Sequence, residues 1–270
     1  MSYFAGFLGC GNMGGTLARC ACAAVGGEKI AVCDHDGAKT QAIAQEYGAA
    51  VLSATDLART SRFLFLGVKP QVLGAAVAEI APALKENASV VLVTMAAGIE
   101  TDAIRAMLAP HGVSCPIIRI MPNTPAAVGE GMILYSAGSD VSPAQIEDFL
   151  SLMQKAGRLT SLPETKIDAG CALSGSGPAF VYLFIEALAD GGVECGLTRE
   201  QATTFAAQTA LGAAKMVLEK GDPAALKNAV CSPGGTTIAG IHALEADGFR
   251  AAAMDAVAAA YDRALELKEN

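Results

Sequence analysis

The sequence predicts a doubly wound α/β domain on a mainly parallel sheet, followed by an all-α domain. Three observations carry this. Five short apolar runs rich in β-branched and aromatic residues recur at nearly even spacing within the first 121 residues, helical patterns fill the intervals, and after about residue 163 Ala-rich helical text takes over. The strands are apolar almost without a break. A strand wet on one face would alternate apolar with polar residues, so helices are expected to cover both faces of the sheet.

In chain order the runs are YFAGFL (3–8), KIAVC (29–33), FLFLGV (63–68), SVVLVT (89–94) and PIIRIM (116–121). GMILYS (131–136) and RLTSL (158–162) read as added edge strands, with a helix from Pro143 to Lys155 between them. The composition shift divides the chain into residues 1–162 and 163–270. Past it, PAFVYLFIEALADGG (178–192) is helical, and its apolar residues surround the axis more completely than one core face requires. Either it is the central helix of a bundle or it packs against a second subunit, and the amount of small apolar surface favours the subunit. Thr198 and Gln201 stand in capping-box spacing at the start of a long helix that ends at Gly221.

The 270 residues are 52% apolar, enough for one large or two ordinary domains. The net charge of -8 and the lack of Lys/Arg clusters argue against nucleic acid or an anionic membrane as partner. No basic-then-apolar leader is apparent, and the apolar runs read as too short or too interrupted to cross a bilayer, so a cytoplasmic protein is expected. Eight Cys are scattered without a CxxC pair, and the three His stand apart. That pattern indicates neither a metal site nor a Cys-His nucleophile, but free thiols in a reducing compartment.

FLGCGNMGG follows the first strand and opens a helix, which sets Gly9, Gly11 and Gly14 in the G-x-G-x-x-G order of a Rossmann dinucleotide site. The first glycine makes the turn, the second lets the backbone approach a pyrophosphate, and the third permits close packing of helix on strand. Asp34, twenty residues past Gly14, is placed to bond an adenosine ribose, which hints at NADH. His35 and Lys39 stand ready for a phosphate if Asp34 turns away, so NADPH and NADH both remain open. GVKPQ (67–71), TMAAGIE (94–100) and RIMPNTPA (119–126) are further loops at strand carboxyl ends, where open α/β sheets bind ligands.

CSPGGTTIAG (231–240) is a different kind of segment. Ser232-Pro233 disfavours helix, Gly234-Gly235 permit unusual backbone angles, and Thr236-Thr237 can begin the next helix. The result is bare amides at a positive helix end, a seat for an anion such as a carboxylate. An ordinary cap is the alternative.

With VKP, MAAG, MPNTP, LSGSGPAFVY (173–182) and CSPGGTTIAGIHALE in order, the chain resembles the pyrroline-5-carboxylate reductase family from residue 3 to about residue 265. The resemblance implies a nucleotide domain and a helical dimerisation domain that interlocks with its counterpart in a homodimer. It places the active site where the nucleotide domain meets the dimerised helices, and larger assemblies of dimers occur in the family. Leu8, Gly9, Cys10, Gly11, Asn12 and Met13, with Val68, Lys69, Pro70, Met95, Ala96 and Ala97, would line the cofactor, NADPH or NADH. Asp34 departs from the hydroxyl residue often found at its position in NADPH-using members. Ser232, Gly234, Gly235, Thr236 and Thr237 would hold a cyclic imine carboxylate, and Thr237, the catalytic candidate, would bond its ring nitrogen. The activity implied is reduction of that imine to proline, the last step of proline biosynthesis. Two alternatives stand beside it: a β-hydroxyacid dehydrogenase, for which Lys166 is the nearest catalytic lysine, and a nucleotide-sensing dimer without turnover.

Overall fold

The computed structural model describes residues 2–269. The chain forms two compact units, one comprising residues up to Gly175 together with those from Tyr261 on, the other Ser176–Ala260.

The first unit alternates strand and helix: β1 (Tyr3–Leu8), α1 (Asn12–Val25), β2 (Ile30–Cys33), α2 (Gly37–Tyr47), β3 (Ala50–Val51), α3 (Ala54–Thr60), β4 (Ser61–Leu66), α4 (Pro70–Leu84), β5 (Val91–Thr94), α5 (Thr101–Leu108) and β6 (Ile117–Met121). It continues through β7 (Gly131–Ala137), α6 (Pro143–Met153), β8 (Gly157–Ser161) and α7 (Ile167–Ser174). The strands form one sheet in the order 3-2-1-4-5-6-7-8, with neighbours parallel except β6 and β7. Successive side chains of a strand point to opposite faces, and both faces are covered. Phe63, Phe65, Val91 and Val93 join α1 and α6 in one core, whereas Leu64, Leu66 and Leu92 join α3, α4 and α5 in the other. Phe7 stacks on Phe65 across the β1–β4 pairing, ring centroids 4.4 Å apart.

Two expectations need adjusting. β7 is not an edge strand, because α6 carries the chain back so that β8 pairs parallel to it on the outside. The opposite edge is β3, whose two residues are too short to leave a periodic signal.

The composition shift and the limit of compactness also fall at different places. α7 lies past the shift, yet Ile167 and Asp168 are buried in the first unit, the latter paired with Arg119 of β6 at 2.9 Å. An ion pair that spans 49 positions cannot be read from local composition.

The second unit holds α8 (Gly177–Glu194), α9 (Arg199–Lys220), α10 (Pro223–Val230), α11 (Thr236–Ala246) and most of α12 (Phe249–Glu269). The Thr198/Gln201 capping box forms as expected. Among the described residues only Ala189, Ala202 and Ala206 are buried in this unit, while Val181, Tyr182, Leu183 and Leu188 of α8 lie open. By length and composition residues 164–194 pass for a membrane span, one 18-residue window reaching mean hydropathy 1.4, so the stretch is not too short, although it is interrupted. They do not form one rod, because helical structure breaks at Gly175–Ser176 between α7 and α8.

Candidate active site

Sheet order brings four loops, distant in sequence, side by side. β2, β1, β4 and β5 are neighbours, so Asp34, Leu8–Met13, Val68–Pro70 and Met95–Ala97 all follow carboxyl ends of adjacent strands. Between β1 and β4 the chain order reverses direction across the sheet, which opens a crevice there.

Backbone contact sets the crevice walls. Gly9 has φ +94 and its amide donates to the Cys33 carbonyl at 2.8 Å, while the Gly67 amide donates to the Leu8 carbonyl at 2.7 Å. A Cβ on Gly9 would lie 2.7 Å from the Gly67 carbonyl, and one on Gly14 would lie 2.1 Å from the Gly9 oxygen. Those two glycines are required by the protein itself. Gly11 is not: its φ is -64 and a Cβ there would have no protein atom within 4 Å. The space left beside Gly11 therefore fits a group the protein does not supply, at the uncapped start of α1, where bare amides and the helix dipole favour a phosphate. α4 begins likewise without a side-chain cap, with exposed Lys69 at its N-cap and Pro70 next. A cleft of about 590 Å³ lies between the starts of α1 and α2, lined in part by Gly11, Asn12, Thr16 and Lys39.

Asp34 has a task that the spacing alone did not reveal. Its two oxygens accept from the amides of Cys10 at 2.6 Å and Asp36 at 2.9 Å, and its side chain is only 4% exposed. Burial pushes its pKa up, but those two amides, with Lys39 and His35 nearby, outweigh it and hold the carboxyl below its ordinary value. It ties the glycine loop to the end of β2. Cys10 in that loop is an inert thiol, with its pKa pushed up by burial to about 12.

The CSPGGTTIAG segment is a tight turn into α11. Gly234 has φ +67, the Gly235 amide donates to the Ser232 carbonyl at 3.0 Å, and a Cβ on Gly235 would meet the Ser232 hydroxyl at 2.4 Å. Gly235 is the N-cap of α11, and no side chain caps it. The hydroxyls of Thr236 and Thr237 are exposed beside amides they do not satisfy. This is not the ordinary cap that the sequence left open. The first-turn amides of α11 are thus left without a side-chain partner, as those of α1 are.

Sequence reasoning missed a braced polar layer behind the loops. Asn123, in the MPNTP loop, is buried; its amide nitrogen donates to the Ser174 carbonyl at 2.9 Å, and its oxygen accepts from Met132 at 2.8 Å. Arg119 is fully buried beside Asp168 and Glu164. The one signal was an arginine inside the apolar run PIIRIM. Lys166 is exposed, ends a short 3-10 turn (Glu164–Lys166) and stands at the N-cap of α7 rather than within that helix. Among the described residues no cluster of three metal-ligating side chains occurs, and all eight cysteines are free.

Comparisons with known proteins bear on both units. Residues 164–267 match the family model for pyrroline-5-carboxylate reductase dimerisation, and residues 5–98 match that for coenzyme F420-dependent NADP oxidoreductases. The pyrroline-5-carboxylate reductase of Arabidopsis thaliana is 40% identical over 273 residues, covering 100% of this chain and 97% of that protein. That of Escherichia coli (strain K12) is 39% identical over 269 residues, covering 98% of each. Among solved structures, a pyrroline-5-carboxylate reductase from Coxiella burnetii superposes with TM-score 0.90 at 31% identity over 100% of both chains. The Plasmodium falciparum pyrroline carboxylate reductase with NADP bound does so with TM-score 0.86 at 31% identity over 98% of each.

Proposed function

The chain belongs to the pyrroline-5-carboxylate reductase family, and from that premise we propose how its residues divide the work of reducing 1-pyrroline-5-carboxylate to L-proline. A reduced nicotinamide dinucleotide, NADPH or NADH, supplies the hydride. Leu8 to Met13 bind its pyrophosphate through backbone amides, Val68 to Pro70 and Met95 to Ala97 line it, and Asp34 keeps the glycine loop in shape. Asp34 Oδ2, whose one partner is the Cys10 amide, keeps a lone pair for a ribose hydroxyl, whereas Oδ1 faces both the Asp36 amide and His35 Nδ1.

The loop from Ser232 to Thr237 holds the substrate. Its amides take the carboxylate, adding charge-assisted hydrogen bonds to a favourable dipole and placing no titratable base near the imine carbon. The Thr237 hydroxyl accepts a hydrogen bond from the protonated ring nitrogen. The substrate arrives protonated from solution, so no general acid is needed, and the imine carbon of the iminium is the electrophile. Hydride addition there leaves the ring amine. Most of the rate comes from alignment, a contribution of up to about 7–11 kcal/mol.

One observation carries the substrate assignment: α11 begins on a glycine-enforced turn with its amides uncapped although three hydroxyl residues stand beside them. The subunit forms a homodimer through its helices, and dimers can assemble further. A cytoplasmic site of action is supported by the eight free thiols, and the charge of -8 argues against a nucleic-acid partner.

Thr237→Ala tests the reading. Loss of a hydrogen bond to a charged group, about 1.5–3 kcal/mol, should lower kcat/KM for the imine roughly 10- to 100-fold. The melting temperature should not change, because Thr237 is exposed and caps nothing. Wild-type kinetics in this variant would remove Thr237 from the mechanism.

A further inference from the structure

The loop between β5 and α5 is poorly held by its own hydrogen bonds. Its internal contacts, the Ala96 amide to the Thr94 hydroxyl and the Ile99 amide to the Ala96 carbonyl, are 3.5 and 3.4 Å, both at the weak limit. Its shape must be imposed from outside. Glu100, the N-cap of α5, does not cap that helix. Glu164 does so instead, accepting from the Thr101 amide at 2.8 Å and the Thr101 hydroxyl at 2.6 Å. The Glu100 carboxylate is thereby left for Lys268 near the end of α12, at 2.7 Å.

Lys268 is itself anchored. Its ammonium lies 2.5 Å from Asp168, whose other oxygen accepts from the fully buried Arg119 at 2.9 Å. Its side chain is 24% exposed and that of Asp168 only 6%, so this pair is screened less than a surface ion pair. Hydrogen bonds that the ammonium donates to Asp168 and Glu100 hold its pKa above the ordinary value. The end of α12 also runs close beside the loop: a Cβ on Gly98, where φ is +75, would lie 3.4 Å from the Leu267 carbonyl oxygen.

We propose that Lys268 is a positioning residue for the nucleotide: by joining Glu100 to the Arg119–Asp168 anchor, it clamps the Met95–Glu100 loop in its binding shape. The proposal rests on the assignment of Met95 to Ala97 to the cofactor. A chain without the clamp would pay for ordering the loop out of its nucleotide affinity, while the imine seat at Ser232–Thr237 would be unaffected.

Calorimetric titration with NADP+ and NAD+, together with steady-state kinetics, tests this on the intact protein carrying Lys268→Met, Lys268→Arg, Glu100→Gln or Ala97→Leu. Lys268→Met should weaken binding of the preferred nucleotide about five- to tenfold and raise its KM equally, with kcat at saturation and KM for the imine within about twofold. Lys268→Arg should restore affinity to within about twofold, and Glu100→Gln, which leaves the Asp168 pair intact, should cost about two- to threefold. Ala97→Leu, at an exposed loop position, reports on the loop assignment itself and should abolish tight binding. Unchanged affinity in Lys268→Met beside a loss in Ala97→Leu would overturn the clamp alone. A fall in kcat and melting temperature at unchanged affinity would overturn it too, as a merely structural contact. Full affinity in Ala97→Leu would remove the loop from the nucleotide site and the clamp with it. If Lys268→Met does not fold, Glu100→Gln at wild-type affinity is the overturning result.

Discussion

Gly11 and Gly14 share a motif but answer to different neighbours. At Gly14 a methyl group would collide with the Gly9 carbonyl, backbone against backbone, so Gly14→Ala must shift the turn and should lower the melting temperature markedly. At Gly11 the protein leaves open space, and Gly11→Ala should stay within about 1 kcal/mol of wild-type stability, the usual range for a changed N-cap. Its KM for the nucleotide should nevertheless rise at least about tenfold, since the methyl group occupies the approach of the pyrophosphate. Thermal melts and nucleotide titrations separate the two, and equal effects on both measures would contradict this division. Asp34 is a third case. Its folded pKa lies below the ordinary value of 3.8, so its contribution to stability is fully present above that pH and is lost as pH falls through the folded pKa. Asp34→Asn should therefore be destabilised by a constant amount from about pH 5 to 8, with the gap to wild type closing below about pH 4. A gap that does not narrow at all as the pH falls below about 4 would take the carboxylate out of the brace.

At the scale of elements, the strands that line the site were legible because each is a run of apolar residues long enough to show its period. β3 was too short for that, and α7 sits in Ala-rich text that looks continuous with α8 until Gly175 breaks it. The glycine loop, the Lys69-Pro70 start of α4 and the turn into α11 were legible for another reason: Gly and Pro constrain the backbone locally, wherever the segment ends up. α8 has the opposite character. Its apolar residues encircle it, and within one subunit Leu183 is 67% exposed. A pairing partner must cover that surface, each such side chain contributing about 1.5–3 kcal/mol when buried. Leu183→Glu should dissociate the homodimer, read by sedimentation equilibrium, and lower activity with it; an intact dimer would place the interface on another helix.

For the whole molecule, the sequence by itself determined the alternation of strand and helix, the two-faced sheet, the change to helices and the chemistry of the turns. These are matters of periodicity and backbone preference, settled among residues a few positions apart. Only the tertiary structure decided that β7 lies inside the sheet, that Asp34 turns back on the glycine loop and that α7 belongs with the strands. It alone joined Arg119, Asp168, Glu164, Glu100 and Lys268 into one charged layer. Lys268 and Glu100 are 168 positions apart, and their attraction depends on separation in space and on burial, neither of which is written in the spacing of residues along a chain.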